Sequence, residues 1–216
     1  MEVGTMTNLW NTIRSRRVLT VIIGVLLVAG LALGVVFGTG MLPPEQPAKA
    51  TNASADSAAD AKPADFTAFR NDQAGFELAY PTSWSKLDTK DPQVLLLVAK
   101  GTQDSFLIRS LELAASVGPK ELPAAKQLTD QIVASNTSAQ MITEPKQIEL
   151  GGLPGFFYFY SFKDAASGQE GVHSHYFLFN GNKMISLVFQ VLPKDQFPAS
   201  APTFDKITAT FHALKK

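Results

Sequence analysis

Hydrophobic and polar positions divide this chain into four unequal parts. Val18–Phe37 (VLTVIIGVLLVAGLALGVVF) is twenty residues without a charge. At ~1.5 Å per helical residue it reaches about 30 Å, the hydrocarbon thickness of a bilayer. Pro43–Asp65 (PPEQPAKATNASADSAADAKPAD) has almost nothing large and apolar, so it buries too little surface to repay the entropy of ordering. From Phe66 onward apolar residues return as short alternating runs and two helical stripes. The pattern predicts a basic tail at 1–17, a transmembrane helix at 18–38, a disordered linker at 39–65 and one folded domain at 66–216.

Within the domain the periods change in a definite order. Phe66–Arg70 and Phe76–Tyr80 read as strands joined by the turn Asn71–Gly75, with Phe76, Leu78 and Tyr80 on one face. Pro81 ends the second strand, and Trp84 is expected to fold back over the sheet end. Val94–Ala99 is a continuous apolar run and is expected to be an interior strand; Ser105–Ala114 returns beside it. Pro119–Ser135 carries Leu122, Ala125, Leu128, Ile132 and Val133 at helical spacing, with Pro119 and Pro123 near its first turn. Three more strands follow, Met141–Leu150, Gly155–Lys163 and Val172–Phe179, and a fourth at Met184–Leu192. Gly151-Gly152-Leu153-Pro154 and Asn180-Gly181-Asn182 supply their tight turns, the second a strong hairpin signal. Phe204, Ile207 and Phe211 mark a closing helix that begins somewhere after Pro198. Strands, helix, strands, helix, with hairpins and no βαβ rhythm, is an α+β fold: an antiparallel β-sheet packed by helices, preceded by one transmembrane helix.

Composition narrows the function classes. The domain from Phe66 has as many Lys and Arg as Asp and Glu, and only Arg70 and Arg109 as arginines, so no nucleic-acid footprint is expected. Cysteine is absent, which removes disulfides, thiolate nucleophiles, Cys-type metal sites and a lipidated cysteine anchor. Arg14, Arg16 and Arg17 precede the apolar span, while its other flank has no cation before Lys49. That asymmetry keeps the N-terminus in the cytoplasm and places the domain outside, as a single-pass protein of the plasma or inner membrane. The competing reading is a cleaved signal peptide ending near Gly38-Thr39-Gly40, but the apolar run exceeds the usual h-region. Gly30, Gly34 and Gly38 form a small-residue ridge of the kind that lets two spans approach closely, but glycine is common in membrane helices generally and that plainer reading is preferred.

The stretch Gly75-Phe-Glu-Leu-Ala-Tyr-Pro-Thr-Ser-Trp84 resembles the opening of PsbP-like domains. Gly151–Gly155 before an aromatic strand, the Asn180-Gly181-Asn182 hairpin and the last helix match as well, over about Phe66–Lys216. This superfamily includes bacterial envelope proteins of the DcrB and LpqN type. The resemblance implies an α/β/α sandwich around an antiparallel sheet and an envelope protein without known catalysis. A membrane span here takes the place of the lipidated cysteine of some members.

Candidate chemistry is thin. His173 and His175 point to one side of a strand and are the best metal candidates, with Glu170 or His212 as a third ligand only if the fold brings one close. With the flanking strands paired about Ser167, Ser161 and Phe159 face them, which is no ligand set; two partly exposed strand histidines are the preferred reading. No Gly-x-Ser-x-Gly elbow or phosphate-binding glycine loop appears, and Asp88 with Asp91, like Glu144 with Glu149, reads as solvated surface. No catalytic residue, cofactor or metal is assigned. Phe157 and Phe159 share one face of their strand, and Phe156, Tyr158, Tyr160 and Phe162 the other. Covered on both sides, these are core; an uncovered part would be a ligand or partner surface, with Tyr80, Trp84, Phe157 and Phe159 as its candidates. The expected function is a non-catalytic, membrane-anchored binding or assembly-accessory domain with an envelope protein partner, its oligomeric state open. The alternative is a small-molecule or lipid pocket, or a weak hydrolase, in the same compartment.

Overall fold

The computed structural model describes residues 62–101 and 104–214. The expected tail, membrane span and nearly all of the linker lie outside them. Among the described residues no helix is long and apolar enough to cross a membrane.

Among the described residues the eight expected strands and two α-helices follow in the expected order, with two further two-residue strands, Ser85–Lys86 and His212–Ala213. The strands are β1 (Phe66–Asn71), β2 (Phe76–Pro81), β3 (Ser85–Lys86), β4 (Val94–Lys100) and β5 (Asp104–Glu112), then β6 (Gln140–Leu150), β7 (Leu153–Lys163), β8 (Glu170–Asn180), β9 (Lys183–Val191) and β10 (His212–Ala213). Helix α1 spans Leu122–Ala134, between β5 and β6; α2 spans Phe197–Ala209, between β9 and β10. Helix α1 starts three residues later than expected from Pro119, because Gly118–Glu121 forms its own turn, with Glu121 accepting from the Gly118 N–H. Helix α2 starts earlier than expected, with Pro198 inside its first turn, where a missing N–H costs nothing.

Two antiparallel sheets result. Seven strands run in the order β3-β4-β5-β9-β8-β7-β6, and a separate sheet of three runs β1-β2-β10. The antiparallel β7-β8-β9 meander is formed as predicted, and it lies between β5 and the edge strand β6. Strand β4, expected to be interior, is second from the edge and flanked on its outer side only by the two-residue β3. Its apolar run alternates after all, with Leu96 and Val98 buried on one side and Leu97 half-buried on the other.

The faces of the seven-stranded sheet carry separate cores. On the first, Phe106, Ile108, Leu178, Ile185, Leu187 and Phe189 are fully buried beneath α2 (Phe204, Ile207) and the small sheet (Phe76, Leu78). On the second, Phe156, Tyr158, Tyr160, Phe177, Phe179 and Met184 lie beneath α1 (Ala125, Val133). The glycines of the sequence motifs hold these layers together. Gly75 has φ +77°, and a Cβ there would come within 2.7 Å of Asn180, whose amide reaches back to the Ala74 and Gly75 carbonyls. Gly151, at φ +58°, lets the Phe211 carbonyl approach to 2.4 Å of where its Cβ would be. The Tyr80-Pro81-x-x-Trp84 run is a turn closed by the Trp84 N–H on the Pro81 carbonyl, and it drops the indole edge-on against Phe204.

Candidate functional site

Side chains on the second face fall into rows that cross five strands. One row reads Leu97, Leu107, Val188, His175, Tyr158; the next reads Ala99, Ser105, Gln190, His173, Tyr160. The rows follow from period-2 alternation and register alone. The expected pairing about Ser167 is corrected by one residue. Lys163 pairs with Glu170, so six residues close the loop and its centre falls between residues 166 and 167. Asp164 fixes that loop by accepting from the Ser167 N–H and hydroxyl, and Gly168 turns it at φ +70°. Tyr160 therefore stands opposite His173, and Tyr158 opposite His175, in place of Ser161 and Phe159.

The consequence is a connected polar group inside an aromatic layer. The Tyr160 hydroxyl lies 3.1 Å from His173 Nδ1 and 3.3 Å from His175 Nδ1, and His173 Nε2 lies 3.0 Å from Gln190 Oε1. His173 stacks on Phe162 and His175 on Phe177. Burial takes His173 down to about 4 despite its bond to Gln190, and takes His175 well below the usual range, with repulsion from His173 and Arg109 adding to the effect. Burial also raises the Tyr160 phenol. Both imidazoles are neutral at pH 7.

Gln190 presents Oε1, which accepts; with that orientation and neutral imidazoles His173 carries its proton on Nε2 and leaves Nδ1 bare. Tyr160 then donates to His173 Nδ1, and having spent its single proton it accepts from His175 Nδ1–H. His175 is left with a bare Nε2, buried and without a hydrogen-bond partner among the described residues. The expectation of partly exposed strand histidines is corrected for His175, which is buried.

The expected third metal ligands are elsewhere. Glu170 is held by Lys194 at 2.7 Å, and His212 pairs with Glu77 in the small sheet. Among the described residues no group of three His, Asp or Glu is placed to hold a metal. Asp91, read from sequence as solvated surface, is instead bound by Arg109 and accepts from the Gln93 N–H. The pair Arg109–Asp91 and the partner of the histidines, Tyr160, had no spacing signal in the sequence, since both depend on register.

The four aromatic surface candidates separate. Trp84 is 6 % exposed and belongs to the core, which corrects its place on an accessible surface. Tyr80 is half-buried against the same core. Phe157 meets Tyr176 at 4.7 Å and Phe159 meets Phe197 at 4.8 Å, half-buried on the α2 side. Half-buried apolar ground is also present on the other face. Leu97, Leu107 and Val188 are directly adjacent across three strands, half-buried, and part of neither core, because α1 covers only the aromatic half of that face. A shallow cleft of about 210 Å³ lies between the small sheet and the end of α2, lined by Arg70, Glu77, Thr210 and His212. Its arginine is already engaged by Asp72 and Glu77.

The fold is shared with known structures. Cyanobacterial PsbP (CyanoP) from Synechocystis sp. PCC 6803 superposes with a TM-score of 0.55 at 16 % identity, over 74 % of this chain and 98 % of that one. LpqN of Mycobacterium tuberculosis, involved in cell envelope biogenesis, superposes at 0.52 and 11 % identity, over 65 % of this chain and 83 % of that one. No protein-family profile matches the chain, and no curated protein does. The fold of the domain is PsbP-like.

Proposed function

We propose that this chain is a membrane-anchored, extracytoplasmic domain that acts in the cell envelope by binding another protein, without catalysis of its own. The observation that carries the reading is the half-buried row Leu97–Leu107–Val188, apolar and outside both cores among the described residues. A partner seated there would complete the layer that α1 leaves half-built. The charge-free Val18–Phe37 segment with its arginine flank supports an outward-facing tethered domain. The PsbP-like fold, shared with a protein of envelope biogenesis, supports the compartment.

The test is crosslinking in intact cells followed by recovery of the full-length chain and mass spectrometry, with Leu107→Glu as the comparison. A partner crosslinked to the parent chain and reduced at least fivefold in the variant is expected. Equal recovery with both, or none above background with either, overturns the reading. Protease added to spheroplasts should cut the domain; protection would place it on the wrong side of the membrane.

A further inference from the structure

We propose that Tyr160, His173, His175 and Gln190 form a proton-sensitive latch across β7, β8 and β9, holding the three strands in neutral surroundings and loosening them in acid. The latch is a chain of hydrogen bonds linking His175, Tyr160, His173 and Gln190, and with Gln190 Oε1 as the terminal acceptor it runs from His175 to Gln190. Such a chain has no place for an extra proton. A proton added to His173 Nδ1 meets the Tyr160 proton head-on. The hydroxyl must turn away, and its oxygen already accepts from His175. A proton added to His175 Nε2 creates a buried donor with no acceptor among the described residues.

Among the described residues nothing around the pair compensates. From β5 comes Arg109, a cation already paired with Asp91. From β7 comes Tyr158, whose hydroxyl is engaged with Thr129 and Asp130. From α1 come Asp130 and Lys126, which are paired with each other. At the start of β8, Glu170 is held by Lys194. Strand β9 offers Ser186 and Gln190, neither of which titrates.

The direction follows from which state takes the proton. Unfolded, each histidine binds a proton near 6.5; folded, burial holds His173 down to about 4 and His175 well below 6.5. The stability due to neutral burial is complete above 6.5 and is lost as pH falls toward 4. The unfolding constant rises by up to about tenfold per pH unit for each histidine in that window. Because the row beside His175 is Val188, Leu107 and Leu97, loosening begins next to that half-buried apolar row. The inference stands on the hydrogen-bond chain and does not depend on the proposed partner.

The experiment uses the full-length chain labelled with ¹⁵N at histidine, of which there are three, with His212→Gln to assign the third. His173 should appear as the Nε2–H tautomer and His175 as the Nδ1–H tautomer, both unprotonated at pH 5. Denaturant unfolding between pH 6.5 and 4.5 should steepen relative to a His173→Gln, His175→Gln double variant. Titration of either histidine near 6.5 in the folded chain, or an Nε2–H tautomer at His175, overturns the latch. Should the double variant fail to fold, the tautomers and titration of the parent chain decide alone.

Discussion

The two faces of the seven-stranded sheet are built from the same strands and differ in kind. The first face is dry and apolar: Phe106 stacks on Phe189 at 4.4 Å, and Phe189 in turn meets Phe204 of α2 at 4.7 Å. Its polar contact with the helix is at the margin, where the Ser200 hydroxyl donates to Asp104 at 2.6 Å. The second face is held by directional bonds as much as by burial, through Tyr158 to α1 and through Tyr160 to the two histidines. Apolar packing is tolerant of direction and pays by area. Hydrogen-bonded aromatics demand a register, since a one-residue slip separates every partner. The first face therefore carries the stability of the domain, and the second makes its strand pairing specific and its response to solution conditions sensitive.

Cutting a hole in the first face is the strongest way to break that contrast. Phe189→Ala removes a ring with no exposed surface and three aromatic neighbours, and should cost roughly 3–5 kcal/mol by denaturant titration. A loss under about 2 kcal/mol would mean that the first face relaxes as easily as a surface. Adding an atom is the complementary test. A Cβ at Gly155 would sit 2.1 Å from the Phe177 carbonyl oxygen, so Gly155→Ala must push β7 from β8 and should cost about 1–3 kcal/mol. At Gly152 nothing lies within 4 Å, and there alanine bears only the strain of its positive φ, about 1–2 kcal/mol.

How far this architecture can be read from sequence depends on whether a feature is local. The hairpins at Gly151-Gly152 and Gly181-Asn182, the helical stripe through Ala125 and Val133, and the alternation that separates Phe157 from Tyr158 all lie within a few residues, and all emerge from pattern. What pattern does not show is which segments share a sheet. Strands β1 and β2 form their own sheet with β10, a pairing of Glu77 with His212 that no local period encodes. The candidate site failed for the same reason at finer scale. His173 and His175 were visible as a pair, but their partner depended on whether six or seven residues closed the preceding loop. Thr129 sat unnoticed in an apolar stripe because its hydroxyl matters only once Tyr158 is beneath it.

Tyr158→Phe tests the second face where it meets α1. The phenol donates to Asp130 at 2.8 Å and touches Thr129 at 2.6 Å, yet both keep other partners, Asp130 with Lys126 and Thr129 with the Lys126 carbonyl. Burying the same ring without its hydroxyl should cost about 1 kcal/mol. The loss should be local. Amide exchange in α1 should accelerate while α2 is unchanged, because α2 rests on the other face. Equal acceleration in both helices would show that the faces open together, and the division drawn between them would fail.

The smallest effect is expected where neither face is involved. Lys194 reaches Glu170 at 2.7 Å, but the two side chains are 42 % and 47 % exposed, so solvent screens the pair and its ordering costs entropy. Lys194→Ala should change stability by less than about 0.5 kcal/mol, and by less still in high salt. The same substitution has a clear spectroscopic sign. The bond to Lys194 holds the Glu170 carboxyl below its usual range, so its titration should move up when the lysine is removed. Since a depressed carboxyl contributes stability only above its unfolded pKa, any difference between the two chains should vanish as pH falls through the folded one. A loss above 1 kcal/mol at neutral pH would mean that the entry to β8 is held from its rim. The six-residue loop that sets the Tyr160–His173 register would then depend on this ion pair as well as on Asp164.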